Sequence, residues 1–192
     1  VVVLGDHDDV WHADRVEHQG AVLDRSPAAL MVASDGRLVD EHHRPIGGTL
    51  RTAFPIPGDW ADRSPAERMA IGLRRSVATG GAGAIRPSAF ERIDVPAGWL
   101  HDRWWSLVAL ARDGLILDER AVIDYRVQPG QQVGLDRAAQ ADGGPLARAT
   151  ALLRDAGRSW TKARDLRASL RPQAATEQIA RAITVRSVLR DS

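Results

Sequence analysis

The chain has 192 residues, the length of one domain with a small appendage, and can bury a core without disulfides. Its 26 Lys and Arg residues nearly balance 25 Asp and Glu residues, which argues against a whole-surface nucleic-acid binder. The absence of cysteine excludes disulfides, thiolate metal sites and cysteine nucleophiles. The apolar runs are far shorter than a membrane span. Because the chain begins at Val1 in a strand-like run, we expect a piece of a larger protein.

The first elements predict a strand followed by a helix. A β-branched run over residues 1–5 ends in glycine and predicts a buried strand that enters a loop. Residues 14–25 predict a helix with Val16, Gly20 and Leu23 on its inner face.

The next segments predict short strands and a prolonged loop. Residues 29–33 and 37–40 predict two strands, and residues 52–64 contain two prolines and predict an irregular loop. Pro65 is suited to the first turn of a helix, which we expect to run through residue 74.

The second half predicts a strand over 77–85, helices over 87–93 and 101–113, and strands over 115–117 and 121–125. The helix over 101–113 has the clearest apolar stripe of the front part of the chain.

The composition changes after residue 135. From Asp136 onward Ala, Arg and Leu dominate and no strand signal remains, which predicts a helical tail. We therefore expect one domain over 1–135 and a tail over 136–192.

An acidic cluster follows the first strand. Asp6 and Asp8 point to the same side if the chain stays extended, and Asp9 is adjacent. Carboxylates at the end of a strand suit Mg²⁺ or Mn²⁺, which take one or two carboxylates together with water and phosphate oxygens. A solvated acidic turn is the structural alternative.

A strand followed by Asp-x-Asp-x-Val resembles the first motif of haloacid-dehalogenase-type phosphatases. That resemblance implies Asp6 as the nucleophile and Asp8 as its acid/base partner. The family needs a downstream lysine and a further acidic pair, whereas the only lysine here is Lys162 in the tail. This alternative therefore ranks below the next one.

A longer match runs through five landmarks in order. The first, Asp-x-Asp-Asp-Val-Trp at 6–11, resembles the signature of family 2 glycosyltransferases of the GT-A fold, especially the rhamnosyltransferase-like branch. The other segments that are similar to this family are Ser-Asp-Gly-Arg-Leu-Val-Asp-Glu at 34–41, Arg75 to Gly81, His-Asp-Arg-Trp-Trp at 101–105, and Tyr125-Arg126 with Gly134.

The resemblance implies a partial GT-A, Rossmann-like α/β fold with a mixed sheet, flanking helices and a helical tail. It implies an inverting, metal-dependent transfer of a sugar, rhamnose being one candidate, from a nucleotide-sugar to a glycan or lipid-linked glycan. The expected setting is bacterial cell-surface polysaccharide synthesis in the cytoplasm, at the inner face of the plasma membrane, with peripheral membrane association and no nucleic-acid partner. The family's N-terminal, nucleotide-binding half is not in this sequence, so we expect this segment alone to be inactive.

The resemblance also assigns the charged site residues. It implies Asp8 as the first candidate for a direct ligand of Mn²⁺ or Mg²⁺, Asp6 near the donor ribose or the metal, and Asp9 as a weaker third candidate. Arg126 is expected to contact the donor. Asp102 matches the general base that takes the acceptor proton, although a carboxylate at a helix start would also fit a cap.

The acceptor side is expected at a glycine-rich segment and a helix start. Thr79, Gly80 and Gly81 would let the acceptor approach the backbone, although a packed strand crossing gives the same pattern. His101 is expected nearby, and Trp105 is either an aromatic platform for a sugar or a core residue.

The sequence departs from the family pattern at three positions. Ser76 replaces an asparagine, Gln128 replaces a histidine and Gln131 replaces an asparagine. Neutral glutamine is a poor cation ligand, so these changes count against Gln128 as a metal ligand and favour altered or lost activity. The arginine-rich tail is the basis of a rival interpretation from another class. In that interpretation the chain is a non-catalytic glycosyltransferase-like remnant whose arginine-rich tail binds a partner or anionic lipid.

Overall fold

The computed structural model describes residues 1–91, 93–96 and 99–127, together with Arg164. This part is a mixed α/β fold with a curled mixed sheet and flanking helices, so the expected fold class is confirmed at that level. The predicted helical tail and the boundary at residues 135 and 136 lie outside the described residues.

Six strands form the sheet in the order β1-β5-β3-β6-β2, and β4 pairs with β3. Their bounds are Val2–Val3 (β1), Val10–Trp11 (β2), Met31–Val39 (β3), Pro45–Thr49 (β4), Gly83–Ile85 (β5) and Leu115–Arg126 (β6). β3 and β6 run parallel, and the other pairings of the described strands are antiparallel. The sheet is therefore mixed.

Helices flank the sheet at Arg15–Arg25 (α1), Leu50–Ala53 (α2), Pro65–Arg74 (α3) and His101–Ala111 (α4). Short 3₁₀ turns cover Trp60–Asp62, Gly80–Ala82 and Pro87–Ala89. Each helix in the described residues is too short or too polar to cross a membrane.

Alternating residues of β3 pack on opposite faces of the sheet, as the pleat requires. Met31 and Ala33 pack against α3 and α4, where Trp104 is fully buried. Val32 packs on the other face with Leu23 of α1. The core is thus divided between the two faces, and the predicted apolar stripe of α4 faces it.

The start of α3 shows why this segment forms a helix where the sequence predicts one. Pro65 occupies the first turn, and Ser64 forms a capping box with Glu67. The Ser64 backbone N–H donates to Glu67 Oε2 at 2.9 Å, and the Glu67 N–H donates to Ser64 Oγ at 3.4 Å. Both bonds satisfy donors that a helix start leaves without partners.

We expect Ser64→Ala to lower the free energy of unfolding by about 1 kcal/mol, because it removes the cap of α3. Denaturant unfolding measures this change. Ser88→Ala, which removes an exposed hydroxyl, is the control. Equal stability of the two variants would contradict the role of the capping box.

The inner face of α1 was predicted correctly at Leu23 and wrongly at Val16. Arg15, Gln19 and Leu23 are the buried residues, whereas Val16 is 56% exposed. Hydrophobic periodicity selected Val16 because a buried arginine and glutamine have no apolar signal. Their burial is possible because backbone carbonyls accept hydrogen bonds from both side chains, Gln19 Oε1 accepts from Arg15, and Ser34 Oγ accepts from Gln19.

The four short strands predicted at 29–33, 37–40, 115–117 and 121–125 are two long ones, β3 and β6. The Ser-Asp-Gly stretch at residues 34–36 is the gap between two of the predicted strands, but it lies inside β3. Asp35 Oδ1 instead accepts the N–H groups of Gly36 at 2.8 Å and Arg51 at 3.0 Å, which stabilises an irregular but continuous strand. The strand predicted as buried over 1–5 is the short edge strand β1, with Val2 43% exposed.

Two further predictions were too long. The strand predicted over 77–85 is a strand only at Gly83–Ile85, because the preceding Gly80–Ala82 forms a 3₁₀ turn. The helix predicted over 87–93 is limited to the turn at Pro87–Ala89. The turn at Gly80–Ala82 is the feature around which the candidate site is built.

Candidate functional site

The acidic loop between β1 and β2 brings Asp6 and Asp9 to one glycine. A Cβ placed on Gly81 would overlap Asp9 Oδ2 and would lie 3.0 Å from Asp6 Oδ2. A side chain at this position would therefore displace the Asp9 carboxylate. The chain's own carboxylates approach the Gly81 backbone, and the approach of an acceptor to Thr79, Gly80 and Gly81 stays a prediction.

Asp9 is the most perturbed carboxyl group of this loop. Its Oδ1 accepts the Arg126 backbone N–H at 3.3 Å, and its buried Oδ2 has no hydrogen-bond partner among the described residues. Burial raises the pKa of Asp9, the Arg126 N–H opposes this rise, and the negative charges of Asp6 and Asp8 add to it. The net effect is a pKa of about 6. Asp9 is consequently held in an environment that disfavours its charge in the absence of a cation.

The loop does not stay extended, so the expected pairing of Asp6 with Asp8 on one side is not what the structure has. A turn at residues 7–8 intervenes. Asp9 joins Asp6 at Gly81, while Asp8 Oδ1 lies 4.0 Å from Nδ1 of the exposed His7. Asp8 still contributes negative charge at Asp9.

Asp102 lies at the other end of the same glycine turn. Its Oδ2 accepts the Gly80 backbone N–H at 2.9 Å, and its Oδ1 accepts the Arg103 N–H at 2.6 Å. The N-cap position of α4 is occupied by Leu100, so Asp102 is not the N-cap residue. Gly80 and Gly81 thus place Asp102 and the Asp6–Asp9 pair on either side of one short turn.

A cavity of about 190 Å³ opens beside Asp102. Its polar lining includes Asp102, Arg51, Arg103 and Thr79, and its apolar lining includes Phe54 and Leu100. The cavity therefore offers a carboxylate at the edge of a mostly apolar wall. Such a combination is typical of small-molecule sites.

Tyr125 connects the cavity with the acidic loop. It lines the cavity, is 8% exposed and lies on β6 next to Arg126. Burial, with a smaller effect of the negative charges of Asp9, Asp6, Asp8 and Asp102, raises the pKa of Tyr125 to about 12. The negative charges of all four carboxylates therefore raise the pKa of one phenol. Tyr125 is thus common to the acidic loop and to the cavity beside Asp102.

The remaining predicted site residues are distributed around this turn. The Arg126 side chain reaches His43, with Nη2 2.8 Å from Nε2, while its backbone binds Asp9. His101 Nε2 would lie 3.2 Å from a Cβ on Gly80. Trp105 lies between Phe90 and His101, with ring centroids at 5.8 Å and 5.3 Å, rather than on the described wall of the cavity.

Sequence reasoning missed two residues of this region, Tyr125 as a site residue and Arg15. Tyr125 belongs to one of the five segments on which the family resemblance rests, but nothing in the sequence distinguishes it from a core tyrosine. Arg15 could have been found from the repeat of four that it forms with Gln19 and Leu23, if polar residues had been admitted to the inner face of α1.

The acidic loop suits a hard divalent cation in its ligand chemistry. Asp6 and Asp9 supply carboxylate oxygens at one point, and the buried Asp9 Oδ2 lacks a partner in the described part of the chain. Across the described residues, no group of three His, Cys, Asp or Glu side chains is arranged to hold a metal. Two carboxylates nevertheless suffice for Mg²⁺ when water and phosphate complete the shell.

No protein-family model matches this sequence, and no curated protein matches it. The interpretation of the site therefore depends on its own geometry and chemistry.

Proposed function

We propose that the protein is the acceptor-side part of an inverting, metal-dependent glycosyltransferase of family 2 with a GT-A fold. It transfers a sugar from a nucleotide-sugar to a glycan or lipid-linked glycan. The proposed setting remains cell-surface polysaccharide synthesis at the cytoplasmic membrane face.

One observation carries this proposal: Asp102 and the Asp6–Asp9 pair lie on either side of the Gly80–Gly81 turn, with a cavity beside Asp102. An inverting transfer needs two such centres a short distance apart. One takes a proton from the acceptor, and the other opposes the charge that develops on the leaving diphosphate.

In the proposed reaction the acceptor lies in the cavity with its hydroxyl at Asp102. The carboxylate takes the hydroxyl proton while the acceptor oxygen attacks the anomeric carbon of the donor. The bond between that carbon and the diphosphate oxygen breaks on the opposite side, which inverts the configuration. The bond from the Gly80 N–H fixes one Asp102 oxygen, so the carboxylate is positioned before the acceptor arrives.

Asp6 and Asp9 would hold the Mn²⁺ or Mg²⁺, and the prediction that Asp8 is a direct ligand stays a prediction. A bound cation would stabilise the negative charge of the leaving nucleoside diphosphate. The unpartnered Asp9 Oδ2 supports this assignment, because ligand binding would relieve the cost of burying it.

The proposal predicts that the full-length protein binds a nucleoside diphosphate more tightly with Mn²⁺ than with a chelator present. Calorimetry with UDP, GDP and dTDP measures this. Gly81→Ala should weaken that binding at least about tenfold, because the added methyl overlaps Asp9 Oδ2.

Gly58→Ala is the matched control, since a Cβ there meets no atom within 4 Å. Metal-dependent binding of none of the three diphosphates by the wild type would overturn the proposed function. Wild-type affinity in Gly81→Ala would remove the Asp6–Asp9 pair from the site.

A further inference from the structure

A fully buried arginine lies directly beneath the acidic loop. Arg15, on the first turn of α1, has 0% exposure. Its Nη2 donates to the carbonyl of Leu4 at 2.6 Å and to that of Gly83 at 3.3 Å. Leu4 lies two residues before Asp6, and Gly83 directly follows the Gly80–Ala82 turn. The guanidinium therefore donates hydrogen bonds to the backbone just before the acidic loop and to the backbone just after the glycine turn. The carboxylates of Asp6 and Asp9 meet between these two segments.

The same side chain also contacts the far end of the acidic loop. The Arg15 Cζ lies 4.2 Å from the centroid of a Trp11 ring, a cation–π contact. Trp11 also packs against Gly5, at the near end of the loop. A Cβ placed on Gly5 would lie only 2.5 Å from the Trp11 ring. Arg15 thus contacts both ends of the segment that carries Asp6 and Asp9.

Gln19, one turn later on α1, extends these contacts to the glycine turn. It accepts from Arg15 Nε at 3.1 Å and donates to the Ala82 carbonyl at 2.9 Å. Gln19 also donates to Ser34 Oγ of β3 at 3.0 Å. Two fully buried polar side chains therefore tie the acidic loop, the glycine turn and the sheet together.

We propose that Arg15 is a positioning residue of the metal site: it holds the acidic loop against Gly81 so that Asp6 and Asp9 converge. This inference rests on the proposed function, in which those two carboxylates hold the cation. A fully buried charge is costly unless it is fixed by hydrogen bonds, and the partners that fix this one border the site. A purely structural arginine would stabilise the fold without altering the affinity for the metal.

Arg15→Lys tests the geometry at constant charge, because an ammonium cannot reproduce the planar fork or its Nε bond to Gln19. In the full-length protein, Mn²⁺ titration calorimetry is combined with thermal unfolding of each variant. We expect Arg15→Lys to bind Mn²⁺ about tenfold more weakly than the wild type under conditions in which both are folded. Leu23→Ala, a buried truncation on the same helix, should lower the melting temperature but leave Mn²⁺ affinity unchanged.

Trp11→Leu is a second variant, at a half-exposed position, that removes the ring contacts of Trp11 with Arg15 and Gly5 and leaves the hydrogen-bonding groups of Arg15 in place. It should also weaken Mn²⁺ binding, and it decides the question if Arg15→Lys does not fold. Wild-type Mn²⁺ affinity in the folded variants would overturn the positioning role while leaving the proposed function intact. Failure of the wild type itself to bind Mn²⁺ would instead overturn the proposed function and this inference with it.

Discussion

Asp102→Asn should lower the turnover of the full-length enzyme by about 10²–10⁴-fold, the range expected for loss of a general base. The amide keeps the shape of the side chain, and its oxygen can still accept the Gly80 N–H. It cannot take the acceptor proton. Affinity for the nucleoside diphosphate should change little, because the proposed metal ligands are Asp6 and Asp9. Steady-state turnover and calorimetric affinity, measured on the same preparation, check both expectations.

Asp113→Asn is the matched control for this experiment. Asp113 lies just beyond the opposite end of α4, has a φ of 51° that asparagine also tolerates, and pairs with Arg68 on the surface. Its loss should leave turnover at the wild-type value. If Asp102→Asn also retains wild-type turnover, Asp102 only holds the Gly80 backbone and the assignment of the base is wrong.

Asp9→Asn should make the protein more stable than wild type at pH 7 by about 2 kcal/mol, after allowance for solvent screening of a partly exposed group. Burial raises the pKa of Asp9 from 3.8 to about 6. Asp9 therefore stabilises the wild type fully below pH 4, and this contribution is lost as the pH rises through 6. The asparagine variant has no such loss and can still accept the Arg126 N–H. Urea unfolding at pH 4 and pH 7 should show the difference mainly at the higher pH.

Asp62→Asn serves as the control for this series, because it removes a carboxylate from an exposed position. Mn²⁺ should stabilise the wild type at pH 7 and should stabilise Asp9→Asn less, since only the former keeps both proposed ligands. An equal stability difference at both pH values would show that Asp9 does not carry the pH dependence.

The helices α3 and α4 could be predicted because their signals are local. Pro65 and the Ser64–Glu67 box mark one start, and the apolar spacing around Trp104 marks the inner face of the other. The continuity of β3 could not be predicted. It depends on hydrogen bonds from the Gly36 and Arg51 backbone to Asp35, one of them from a residue 16 positions away.

The candidate site was predictable in its residue types but not in its arrangement. The acidic cluster and the glycines at 80 and 81 were singled out from the sequence, and their chemistry follows from their side chains. Their convergence depends on contacts between distant segments, such as that of Asp9 with the backbone of Arg126, 117 positions away. The buried Arg15 follows from its four-residue spacing with Gln19 and Leu23 only if polar residues are admitted to the inner face of α1, and the carbonyls that accept its hydrogen bonds leave no trace in local composition.

The parallel pairing of β3 with β6 has a consequence for the order in which the protein folds. It joins Met31 to Leu115, and β6 also pairs with β2 through Val10 and Asp124. Contacts between such distant residues form slowly, because the chain entropy of closing a long loop is lost before the pairing compensates for it. The N–H that fixes Asp9 belongs to Arg126, at the end of β6. During synthesis the acidic loop therefore leaves the ribosome before β6 and acquires its final conformation only after β6 has emerged.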